Sequence, residues 1–124
     1  MEMEDAMEQH VSWVIELAVK EGKLGSFKEL MGEMVAGTSS ESGTLNYEWY
    51  ISRDEGTVHI FEKYADSTEM ITHVNGFMEK WAGRFLECVD PTRFTVYGDP
   101  SEAARELLAG FGPTYLGPWG GFAR

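Results

Sequence analysis

Cysteine is nearly missing from this chain of 124 residues: Cys88 stands alone. No intramolecular disulfide can close, and no thiolate cluster can hold zinc. Basic residues are also scarce, with 10 Lys and Arg against 21 Asp and Glu and a formal charge of −11. Such a surface repels phosphate backbones and anionic headgroups, so nucleic acid and membrane are not expected as partners. No apolar run approaches the roughly 18 residues of a membrane span, and the opening MEMEDAMEQH is acidic where a secretory signal is basic. With the single cysteine, these absences favour a cytoplasmic setting. Internal repeats, low-complexity tracts, a GxGxxG loop, a phosphate loop and a nucleophile elbow are all lacking. His10, His59 and His73 have no ligand spacing, so no metal site is expected.

Apolar and aromatic bulk is what the chain does have. Hydrophobic residues make up 43% of it, including 4 Trp, 5 Tyr and 7 Phe. That is ample for one core, and the length suits one domain. Val11 to Val19 alternates with the period of a strand that has one strongly apolar face. Ser26 and Glu29 form a capping box ahead of Phe27, Leu30, Met31, Met34 and Val35, which predicts a helix to about Ala36. Thr44–Arg53 and Thr57–Ala65 read as a hairpin, with Gly56 supplying a positive φ at the turn. Pairing Asp54 with Thr57 sets Ile51 opposite Ile60, Trp49 opposite Glu62 and Tyr47 opposite Tyr64 on one face. The other face then holds Glu48 opposite Lys63, Tyr50 opposite Phe61 and Ser52 opposite His59. Asp66 and Glu69 cap a second helix, which Gly76 is expected to divide. Asp90-Pro91 ends that region, and Thr92–Tyr97 reads as a fourth strand. Asp99-Pro100 then opens a short helix with Pro at its first position.

The order βαββαβ is the α+β, ferredoxin-like arrangement: an antiparallel four-stranded sheet with both helices on one face. The expected boundaries are an acidic tail over 1–10, the domain over 11–98, and a helix with an aromatic tail over 99–124 that belongs to the same domain. Val14, Tyr50 and Phe61 would lie on the face that the helices leave bare. A second copy packed sheet to sheet is the simplest cover, which predicts a homodimer.

The βαββαβ order, the GTLNYEWYISRDEGTVHIFEKYAD hairpin, the His73-Val-Asn-Gly-Phe77 segment and a last strand ending Val-Tyr-Gly resemble the antibiotic biosynthesis monooxygenase domain. The resemblance runs over about Val11 to Gly98. It implies a dimeric α/β barrel and an oxygenase of quinols, anthrones or similar polyphenols that uses neither metal nor flavin. The haem-degrading branch implied by the same superfamily needs a strand-one Asn, a helix-two Trp and a His ten residues later. Ile15 or Glu16, His73 and Gly83 stand at those positions, which argues against haem.

On the helix-facing side Trp13, Tyr47, Trp49 and Tyr64 surround Glu62, and the second helix offers His73, Phe77 and Trp81. Such a box suits a planar phenolic ligand. An aromatic core without a cavity is the plainer alternative. Glu62 is a candidate base because burial on an apolar face would raise its pKa, although it could merely accept hydrogen bonds from Tyr47, Tyr64 or the Trp49 indole. His73 is the other candidate base, with a neutral imidazole suited to a phenolic proton. It could equally be a satisfied histidine tying down a loop. The rival to catalysis is a non-catalytic dimer of the same fold that binds or senses a small molecule.

Overall fold

Alternation of apolar and polar residues in Val11–Val19 places this strand, β1, at the centre of the sheet, with Val11, Trp13 and Leu17 buried on one side. A computed structural model describes residues 9–124. The acidic tail expected over 1–10 lies outside the described residues except for Gln9 and His10. Strands β2 (Thr44–Ile51), β3 (Thr57–Tyr64), β4 (Val89–Gly98) and β5 (Thr114–Leu116) complete a sheet of order β2-β3-β1-β4-β5. The first four strands pair antiparallel, as the ferredoxin-like reading requires, while β5 adds a short parallel edge beside β4. Helices α1 (Leu24–Thr38), α2 (Ser67–Lys80), α3 (Ala82–Cys88) and α4 (Glu102–Leu108) follow the strands that they connect or extend. The core has two centres. Leu17, Ile60 and Val58 pack with Phe27, Leu30 and Phe85 under α1 and α3, whereas Val11, Trp13 and Val96 pack with Met70, Val74 and Leu108 under α2 and α4.

The hairpin differs from expectation by two residues. Trp49 pairs with Ile60, Tyr47 with Glu62, Glu48 with Phe61 and Asn46 with Lys63. A slip of two leaves every side chain on its intended face, so Tyr47, Trp49 and Glu62 still look toward the helices. The cause is the loop, which runs over residues 53–56 rather than being a tight two-residue turn. Ser52 N–H bonds to Thr57 O at 2.9 Å, and Asp54 Oδ1 accepts from the Ser52 hydroxyl at 2.7 Å and from Gly56 N–H at 3.0 Å. Glu55, not Gly56, takes the left-handed conformation, at φ 62.

Helix ends also moved. Helix α1 starts at Leu24 behind Lys23, which makes no side-chain cap, so Ser26 and Glu29 sit inside the first turns. The turn that ends at Lys23, with Gly22 at φ 76, already directs the chain into the helix: Lys23 N–H bonds to Lys20 O and Phe27 N–H to Lys23 O. Asp66 caps α2 as expected, accepting from Glu69 N–H at 2.9 Å. Gly76 does not interrupt that helix. The break falls at Trp81, with φ −128, whose ring packs so tightly on α1 that a Cβ on Gly37 would lie 2.8 Å from it. Strand β4 begins at Val89 and runs through Asp90-Pro91, with a bulge that leaves Thr92 unpaired between Arg93 and Pro91. Ser101 rather than Asp99 caps α4, accepting from Ala104 N–H at 3.2 Å, and Asp99 instead pairs with Arg105 at 3.0 Å.

The sheet face away from the helices carries Val14 and Phe61, both half-buried, and exposed Tyr50. Beyond β5 the chain exposes Trp119 and Phe122.

Candidate functional site

Residues i and i+2 of a strand share a face, so β3 presents Glu62 and Tyr64 together toward α2. One turn after its first residues, α2 directs His73 inward among Met70 and Val74. Both polar groups are deeply buried, His73 at 3% exposure and Glu62 at 6%. Burial of this kind is tolerated only when the groups satisfy one another. His73 Nε2 lies 3.3 Å from Glu62 Oε1, and the same oxygen accepts from the Tyr64 hydroxyl. His73 Nδ1 lies 2.8 Å from Oε1 of Glu41, a residue of the loop between α1 and β2. Thr44 donates to that Glu41 oxygen at 2.8 Å. The loop is pinned at both ends, because Glu41 N–H bonds to Thr38 O and Ala65 N–H to Gly43 O. The result is a chain, Glu41–His73–Glu62–Tyr64, built by side chains from one strand, one helix and one loop.

Burial works against a charged imidazole at His73, but Glu62 and then Glu41 outweigh it, so its pKa is raised and the ring is held toward its protonated form. Burial and the neighbouring Glu62 charge push the phenols of Tyr47 and Tyr64 upward, which keeps both neutral. Tyr47 stacks edge-on to His73, with centroids 5.5 Å apart. Glu62 Oε2 accepts no hydrogen bond from the described residues.

Glu62 and His73 of this cluster form one wall of a cavity of about 60 Å³ between the sheet and α2. Of the aromatic residues expected around a ligand, Trp13, Tyr47 and Phe77 line it beside Glu62 and His73. The others stand back from it. Tyr64 is fully buried behind Glu62, Trp81 is wedged against Gly37, and Trp49 lines a separate groove with Phe27 and Met31. The Trp49 indole N–H is buried without a partner, so it is Tyr64 and not Trp49 that bonds Glu62. His59 pairs with Glu16 at 3.5 Å on the open sheet face, and His10 is also outside the cluster. Sequence reasoning missed Glu41, which lies in the polar loop between Thr38 and Thr44, where periodicity carries no information. The outer wall comes from beyond Gly98, where Leu108 of the short helix and Phe111 line the cavity.

Among the described residues no group of three His, Cys, Asp or Glu side chains is arranged to hold a metal ion. Glu41 and Glu62 contact opposite nitrogens of one imidazole, so the three do not converge on a common point. No helix among the described residues is long and apolar enough to cross a membrane.

Residues 10–82 match the sequence model of the antibiotic biosynthesis monooxygenase family, and the chain belongs to that family. No curated protein matches it by sequence. In structure it is similar to MupZ from Pseudomonas fluorescens, with a TM-score of 0.83 at 22% identity over 94% of this chain and 95% of that one. A conserved protein from Methanosarcina mazei Go1 superposes with a TM-score of 0.68 at 18% identity, covering 77% of this chain and 98% of the other. SnoaB from Streptomyces nogalater, a cofactor-independent oxygenase, gives 0.62 at 14% identity over 75% and 95% of the two chains. These likenesses show the fold.

Proposed function

We propose that this protein is a monooxygenase that removes a phenolic or enolic proton from a hydroxylated aromatic substrate and lets the resulting anion react with dioxygen. The family assignment supports oxygenase chemistry, and one observation carries the reading: a buried carboxylate, bonded to an imidazole that a second carboxylate also holds, faces an apolar cavity. A carboxylate at the wall of an apolar cavity is within reach of an acidic proton on a ring bound there. Both nitrogens of His73 are engaged by carboxylates, so Glu62 Oε2 is the atom that takes the proton and His73 tunes it. Tyr64 is committed to Glu62. Tyr47, neutral and at the cavity wall, donates to the substrate oxyanion instead. Trp13 and Phe77 clamp the ring.

An anthrone illustrates the balance. Its ring methylene loses a proton to Glu62, and the anion passes one electron to dioxygen. The two radicals join in a C–O bond, and the peroxide takes the proton back. Loss of the remaining C–H proton with cleavage of the O–O bond leaves a ketone and water. The methylene gives up four electrons and dioxygen accepts four, so this net reaction needs no external reductant. We also propose that the open sheet face is covered by a second copy, making a homodimer.

Oxygen uptake tests the reading. Chelator-treated protein given an anthrone should consume oxygen and form the corresponding quinone. Glu62→Gln should lower the rate by about a hundredfold or more, the usual contribution of a positioned base. No uptake across a panel of quinols and anthrones, with ligands recovered unchanged, would favour the non-catalytic binding role.

A further inference from the structure

The cavity as it stands is too small for the ligand its chemistry suits. An apolar cavity of about 150 Å³ accepts a single benzene ring, and this one measures about 60 Å³. A wall must therefore yield before any phenol can reach Glu62. Most of the walls cannot: Trp13, Ile60, Val74 and Phe85 are buried core side chains on paired strands and packed helices. Phe111 is different. It is 39% exposed and ends the single 3₁₀ turn Ala109–Phe111. Gly110 and Gly112 flank it, the latter left-handed at φ 64, and added Cβ atoms there would meet nothing. Among the described residues its one aromatic contact is an edge-on approach to Phe94, with centroids 6.3 Å apart.

We infer that Phe111 is the gate of the cavity, a side chain that swings out to admit a planar ring and returns to exclude water, and so sets the width of substrate accepted. The inference rests on the reading above. Two glycines let the backbone turn without steric cost, and little packing is lost when the ring leaves. Everything that moves lies beyond the segment matched to the family, in the appendix after Gly98.

The test uses the full chain, with 2-naphthol as the probe and NMR signals of the His73 imidazole reporting cavity occupancy. Stopped-flow fluorescence gives the association rate. Phe111→Ala should speed association by about tenfold, the factor one ring contact is worth, and Phe111→Trp should slow it. Phe122→Ala, an exposed aromatic away from the cavity, should match wild type. Equal rates in all four proteins, with the His73 signals still shifted on binding, would overturn the gate and leave the proposed function standing. If no variant shows a His73 shift at any naphthol concentration, the proposed function fails and the gate with it.

Discussion

His73 touches Glu41 through one ring nitrogen and Glu62 through the other, and this double engagement makes it both a strut and a tuning charge. Replacing it with Leu leaves two carboxylates without their cation in an apolar box, which should cost about 3–5 kcal/mol in urea unfolding. The dependence on pH has a definite sign. The folded pKa of His73 is raised above its ordinary value of 6.5. Its stabilising effect is therefore complete below that value and is lost as pH rises through the folded pKa. The stability gap between wild type and His73→Gln should narrow from mildly acid to alkaline solution. Glu41→Gln removes one of the two groups that raise this pKa, so an NMR titration should find it lowered. Glu62 and His73 were legible in the sequence because each interrupts an apolar face whose period is known. Glu41 was not, since a loop has no face to read, and only closure of the chain brings it to Nδ1.

At the scale of elements, two helix glycines separate packing from propensity. Gly76 lies mid-helix in α2 with open space around its Cα, so Gly76→Ala should stabilise the protein by about 0.5–1 kcal/mol. Gly37 faces the Trp81 ring, where a Cβ would sit 2.8 Å from carbon atoms. Gly37→Ala should therefore destabilise by about 1–3 kcal/mol in spite of the better helix former. Thermal unfolding of the two variants reads both signs. The same contrast explains what the sequence could reveal here. Alternation in Val11–Val19 and the helical stripes determined the type and order of the elements, because burial enforces those periods. The start of α1, the hairpin register and the break at Trp81 were decided by other means. A turn closing at Lys23, a loop of residues 53–56 and a ring packed on another helix each overrode a plausible local signal.

For the whole molecule, the sheet has two unlike faces. Helices cover one, and the other leaves Tyr50, Val14 and Phe61 beside Glu16, His59 and Arg93. Sedimentation should find a dimer, and Phe61→Lys, which places charge in the middle of that face, should shift it to monomer while the near-ultraviolet dichroism of the aromatic core persists. The fifth strand beyond Gly98 was invisible to pattern reading, because three residues of strand are too short to show a period.

The central claim is that the buried cluster takes a proton from a bound phenol. The absorption spectrum of 2-naphthol saturating the protein at neutral pH, under nitrogen, tests it without requiring turnover. Wild type should show a naphtholate band and Glu62→Gln the neutral naphthol band. Neutral naphthol bound to wild type, or naphtholate bound equally to both, would contradict it.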